Sequence, residues 1–143
     1  MEKSEILSAI NYNHERIILH RNELTNLKEQ YSVLMEFSKE CMLHINSFEN
    51  SMATRRGKLS NFDALSHKVK SAKAYSQKMS DVLNGKEYLE IVTSIDMLQN
   101  SISATKQRIS NDIQYVENLI SSLEFKIGEL QNEYERSEVK HDE

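Results

Sequence analysis

Residues 4–52 read SEILSAINYNHERIILHRNELTNLKEQYSVLMEFSKECMLHINSFENSM, and the spacing of their apolar side chains decides the fold. Positions 6, 13, 20, 27, 34, 41 and 48 are Ile, Asn, His, Leu, Leu, Cys and Phe. Positions 10, 17, 24, 31, 38, 45 and 52 are Ile, Ile, Leu, Tyr, Ser, Ile and Met. The two series interleave at steps of four and three residues, which puts them on one narrow stripe of an α-helix. Eleven of these fourteen positions are apolar, counting Tyr31 and Cys41. A repeat of this kind kept over many heptads is the signature of coiled-coil packing, and Asn13, His20 and Ser38 are polar insertions of the type that fix register. The spacing predicts one helix over residues 4–53.

Beyond that stripe stands Ala53-Thr54-Arg55-Arg56-Gly57-Lys58-Leu59-Ser60, with the first glycine of the chain where the repeat stops. A glycine in that place suits a left-handed residue closing a helix, and Ser60 or Asn61 suits the cap of the next. A turn is therefore expected over 54–58. Helix resumes over 59–83 with Leu59, Phe62, Leu65, Val69, Ala72, Tyr75, Met79 and Val82, again at helical spacing. Asn84-Gly85 is a stop signal and predicts a kink. A last helix over 86–136 carries Tyr88, Ile91, Ile95, Leu98, Ile102, Ile109, Ile113, Val116, Ile120, Leu123, Ile127 and Leu130. The rhythm slips near Thr105, which reads as a stutter. Residues 137–143 are polar and expected to fray.

These elements make an all-α fold, a long antiparallel helical hairpin of coiled-coil type, with a second arm longer than the first and kinked near Asn84-Gly85. Unequal arms leave part of the second without an intrachain partner. The unmatched part carries Ile109, Ile113, Val116, Ile120, Leu123, Ile127 and Leu130. Burying each such side chain contributes about 1.5–3 kcal/mol, so this stripe is expected to be a partner-binding surface.

Composition supports the hairpin and excludes other classes. The chain has 143 residues, no Pro, three Gly and no Trp, too few turn residues for a sandwich, a barrel or a doubly wound α/β domain. It is 38% hydrophobic and 28% charged, too apolar for disorder and too charged for a membrane-spanning bundle. The first residues, Met1-Glu2-Lys3-Ser4-Glu5, do not read as a Sec signal peptide. Membrane insertion is not expected, and the expected compartment is the cytoplasm. Charge is unevenly spread: residues 58–85 carry a net +3 and residues 86–143 a net −6, within a total of −4.

Catalytic and metal chemistry find little to stand on. Cys41 and His44 lie three apart, but tetrahedral zinc needs two more ligands and no second Cys/His pair exists. Cys41 sits on the seam, where a thiol acts as a small hydrophobe. No P-loop, nucleophile elbow or H-E-x-x-H motif is present. The carboxylates lie at ordinary spacing to Lys and Arg on solvated helix faces. No enzyme activity, metal or cofactor is expected. The basic centre, from Arg55 to Lys78, resembles no DNA-recognition helix, so it reads as a solvated face or a docking face for an acidic partner rather than a nucleic-acid site.

A long helix, a turn with a lone Gly and a second long helix resemble the WXG superfamily of small helical hairpins of Gram-positive bacteria. The layout is most similar to the YwqH-like proteins encoded beside LXG-domain toxins of the type VII secretion system. Arg55-Arg56-Gly57 stands in the place of that family's Trp-x-Gly, and Leu59 and Phe62 match the apolar positions that follow. Tyr134-Glu135-Arg136-Ser137-Glu138 matches the family's aromatic-x-x-x-acid export signal, with Tyr134 and Glu138 as its two readable residues. The resemblance implies a non-catalytic helical partner or targeting chaperone. It would bind the helical N-terminal domain of an LXG-type toxin, with a second small helical protein as a further partner, and leave the cytoplasm by a route needing no cleavable signal. The residues alone leave two other readings open: a self-associating structural coiled coil, such as a homodimer, and a nucleic-acid-binding helical module.

Overall fold

A computed structural model of the chain describes residues 2–66 and 70–142, with the side chains of 2–64 and 70–139. The chain is all-α, an antiparallel helical hairpin whose second arm bends by about 20° at residue 85. Three helices follow one another: α1 over Lys3–Ser66, α2 over Lys70–Asn84 and α3 over Lys86–Asp142. No strand occurs among the described residues. Contacts divide the chain into two units. The first comprises Met1–Val33 with Lys106–Glu143, and the second Leu34–Thr105.

The first unit packs the early part of α1 against the late part of α3. Ile6, Ile10 and Ile17 form one buried cluster with Val116, Ile120, Leu123, Ile127 and Leu130. Leu24, Leu27 and Tyr134 pack against it, half-buried. Two side chains, Ile6 and Val116, are almost wholly removed from water. Asn13 is also buried in the seam, and its Nδ2 donates to the Ala9 carbonyl of its own helix at 2.8 Å. That bond satisfies a group that would otherwise be costly in an apolar layer. Flanking the seam, Arg21 meets Glu124 at 3.0 Å, Lys28 meets Glu117 at 3.9 Å and Lys3 meets Glu138 at 3.0 Å. Exposed pairs like these contribute little each. All three set a cation of α1 against a carboxylate of α3, which favours this antiparallel register over a slipped one.

In the second unit α1 packs against α2 and the start of α3. Ile45 and Met52 of α1 and Leu83 of α2 are buried. Phe48 stacks on Tyr88 with ring centroids 6.3 Å apart, and Ser76 donates to Asp63 at 2.8 Å.

The seam differs from the expected one at three places. First, the turn is not at 54–58: those residues are helical, no described residue has a positive φ, and α1 continues to Ser66. Two features explain why Gly57 does not end the helix. A glycine within a helix costs only about 1 kcal/mol. The seam also goes on through half-buried Arg56 and Leu59. The stripe fades in the sequence only because charged residues take over its positions. Residues 67–69, between α1 and α2, lie outside the described residues, as does the expected seam residue Val69.

Second, there is no unmatched overhang. With α1 running to Ser66, the first arm reaches far enough to cover the stripe from Ile109 to Leu130, whose residues are buried or half-buried within the same chain. Third, the stutter lies in α1 and not near Thr105. Ile45, Phe48, Met52, Arg56 and Leu59 step by 3, 4, 4 and 3 residues, the pattern of a four-residue insertion. In α3 the steps of four and three never break, because Val92, Gln99 and Lys106 are half-buried at seam positions while Ile91 and Leu98 stay exposed. The kink at Asn84-Gly85 is where it was expected. A Cβ on Gly85 would overlap the Asp81 carbonyl oxygen, so this glycine is required by close backbone approach.

At Gly57 and Gly128 an added Cβ meets nothing within 4 Å. Gly57→Ala and Gly128→Ala should each raise stability by about 0.5–1 kcal/mol, seen as a higher Tm by circular dichroism. Gly85→Ala should lower Tm. A destabilised Gly57→Ala variant would return the turn to 54–58.

Candidate functional site

The residues expected at the turn are gathered by the structure, though not as a turn. Arg56 projects from α1 to the junction of α2 and α3. Its Nη2 donates to the Leu83 carbonyl at 2.9 Å, and its guanidinium lies 4.2 Å from the centre of the Tyr88 ring. Helix ends leave carbonyls without an N–H partner. Here Arg56 takes Leu83, Asn84 takes the Ser80 carbonyl at 3.2 Å, and the next backbone bond, Leu89 N–H to Gly85 carbonyl, opens α3. The Nε of Arg56 is buried with no hydrogen-bond partner among the described residues. The delocalised charge rests on the π face of Tyr88 instead. Arg56 therefore holds the bend.

Arg55 and Lys58 point to another face of α1. With Leu59, Phe62, Met79 and Val82 they line an open cleft of about 430 Å³ between α1 and α2. Phe62 and Tyr75 meet edge to face there, with centroids 5.5 Å apart. The lining of this cleft is mostly apolar, and it keeps large side chains in water: Tyr75 is 54% exposed and Val82 60%. A second cleft, of about 420 Å³, is polar and is lined by Arg56, Ser60, Asp63, Lys73, Ser76 and Gln77.

The expected partner-binding stripe is placed otherwise. Val116, Ile120, Leu123, Ile127 and Leu130 belong to the core of the first unit, Ile109 is buried, and Ile113 is half-buried. They hold the arms together and present no free surface.

Tyr134 and Glu138 do share a face, as expected of residues four apart. They are not, however, beyond the seam. Tyr134 is half-buried against the core cluster, and Lys3 reaches across from α1 to both: 4.9 Å from the ring centre of Tyr134 and 3.0 Å from Glu138 Oε1. The Glu138 carboxylate, foremost by its hydrogen bond, holds the Lys3 ammonium above its ordinary pKa of 10.5.

Cys41 is half-buried on the seam and His44 is exposed. No group of three or more His, Cys, Asp or Glu among the described residues could hold a metal ion. No described helix is long and apolar enough to cross a membrane. Of the basic centre, Arg55 and Lys58 rim the apolar cleft, Lys73 lines the polar one, and Lys68 lies outside the described residues. Comparison with protein-family models, curated proteins and solved structures gives no match.

Sequence reasoning missed the roles of Arg56 and Tyr88. One signal was present: Tyr88, Ile95, Ile102, Ile109, Val116, Leu123 and Leu130 repeat every seven residues and are all apolar. That column makes Tyr88 a seam residue.

Two outcomes follow. Val116→Asp puts a carboxylate at a position 2% exposed and should destabilise the fold by on the order of 3 kcal/mol or more, read as lost helicity and a lower Tm. A variant that kept its Tm would return the stripe to the surface. The raised pKa of Lys3 fixes the sign of a pH effect. The Lys3–Glu138 contribution is complete below pH 10.5 and is lost as pH rises through the folded-state value above it. The Tm difference between wild type and Lys3→Gln should therefore be present at neutral pH and shrink above pH 10.5.

Proposed function

We propose that the chain is a non-catalytic helical partner protein that works by packing against helices of another protein. The apolar cleft between α1 and α2 carries this reading. It is wide open, lined by side chains that pack rather than react, and rimmed by two cations. A site for catalysis encloses its substrate and brings acid, base or nucleophile to one point. This cleft does neither.

The hairpin layout resembles that of the YwqH-like proteins, so the first partner to test is the helical N-terminal domain of an LXG-type toxin encoded beside this chain. In this reading the chain is a targeting chaperone for type VII secretion. Tyr134 and Glu138 form the export signal, and the chain acts in the cytoplasm before export. The family's turn motif lends no support, because Arg55-Arg56-Gly57 lies inside α1. Support comes from the two-arm layout and the place of Tyr134 near the end of α3.

Co-expression with the N-terminal domain of the adjacent toxin, followed by size-exclusion chromatography with light scattering, tests the reading. The expected result is a stable complex and a monomeric chain in its absence. A chain that ignores the domain and dimerises alone would replace the proposal with a structural coiled coil. The export signal has its own test: Glu138→Gln, which keeps a hydrogen-bonding side chain beside Lys3, should bind the partner normally and block its secretion. Normal secretion of that variant would remove Glu138 from any signal.

A further inference from the structure

We infer that the cleft between α1 and α2 is the docking groove for an acidic amphipathic helix of a partner protein. This rests on the reading of the chain as a helical partner and names the surface that does the binding.

The groove has the geometry of a missing third helix. On α2, Tyr75, Met79 and Val82 step by four and three residues, and on α1 Arg55, Leu59 and Phe62 do the same. Each arm thus offers a second stripe along the edge of the seam, and on α1 the half-buried Leu59 belongs to both. A helix laid between two such stripes reads them as ridges and grooves. Seven residues of α-helix rise about 10 Å, so the groove takes about two turns of an occupant. That reach fits three apolar side chains at i, i+4 and i+7, the usual anchors of a helix in a groove.

Charge selects the occupant. The described residues lining the groove include Arg55 and Lys58 and no carboxylate. Lys58 opens a net-basic segment, +3 over residues 58–85 against −4 for the whole chain, and Arg55 stands just before it. Cations on the rim of an apolar groove favour carboxylates flanking the occupant's anchors and disfavour cations there. A second copy of this chain fits less well. Its most acidic part is residues 86–143, and the apolar stripe there is already buried within the hairpin. A fatty acid has a carboxylate for the rim, but an acyl chain in so open a cleft keeps one side in water. A helix closes the cleft over.

A phage-displayed library of helical peptides about three turns long, selected on the full chain, identifies what the groove prefers. Enriched peptides should share apolar residues at i, i+4 and i+7 flanked by Asp or Glu. The best of them, fluorescein-labelled and followed by anisotropy, should bind Val82→Glu about tenfold more weakly, and the same for the Arg55→Glu/Lys58→Glu double variant. All three substituted positions, Arg55, Lys58 and Val82, are exposed, and circular dichroism checks that both variants keep the wild-type fold. Exchanging the peptide's Glu for Lys should restore binding to the charge-reversed variant. No enrichment, enrichment without acidic residues, or binding to either variant as tight as to the wild-type chain overturns the proposal. So does oleate or an anionic phosphatidylglycerol vesicle displacing the peptide with higher affinity. A toxin-domain complex that forms while the peptide results fail removes this groove and leaves the partner reading standing. Peptides that bind as expected while no toxin complex forms do the reverse.

Discussion

A hairpin of two helical arms has one interior, the seam between them, and every other feature of this protein is arranged around keeping it closed. The residues that close it step by four and three, so each arm turns one narrow apolar face to the other. In the first unit the seam is nearly pure Ile, Leu and Val, and the ion pairs from Lys3, Arg21 and Lys28 line its flank. In the second unit it is mixed: Met52 and Leu83 share it with Arg56, Ser76 and two aromatic rings. The polar members are tied by hydrogen bonds, as burial demands.

Two departures from regular spacing occur in the second unit, and Arg56 connects them. One is the extra four-residue step between Met52 and Arg56 in α1. The other is the bend at Gly85, where the seam jumps from Leu83 to Tyr88. A shift in one arm alone would set its apolar residues against the wrong layer of the other. Arg56 stands at the shift in α1 and grips both sides of the bend, Leu83 by its carbonyl and Tyr88 by its ring. A long, forked cation suits such a place better than a compact apolar side chain, because its stem can pack while its head reaches a carbonyl.

The helical class, the antiparallel hairpin and the kink were legible because the column through Ile6, Asn13 and His20 and that through Ile10, Ile17 and Leu24 survive their polar insertions. The position of the return between the arms was not. Gly57 looked like an ending because the next seam residue was a charged Arg56, and nothing local in a sequence tells a buried arginine from a solvated one. That single displacement carried through the rest. With the turn misplaced, the arms became unequal, and the core residues from Ile109 to Leu130 became a surface. The apolar cleft was half legible. Leu59, Phe62, Tyr75, Met79 and Val82 were visible as a stripe, but only the pairing of α1 with α2 shows that Phe62, Tyr75 and Val82 stay exposed after the seam has taken Leu59.

The ion pairs and the apolar cluster of the first unit are all made between one arm and the other, and none needs the two arms to belong to the same molecule. Two copies exchanging arms would repeat Arg21–Glu124, Lys28–Glu117 and the contacts of Val116 without loss. What separates the closed hairpin from an arm-exchanged dimer is therefore connectivity rather than chemistry. Only the few residues between Ser66 and Lys70 join the arms. Joining the arms in one chain makes their pairing intramolecular, so dilution favours the closed form and concentration the exchanged one. Crowding many copies together shifts the balance toward exchange without altering a single residue of the seam.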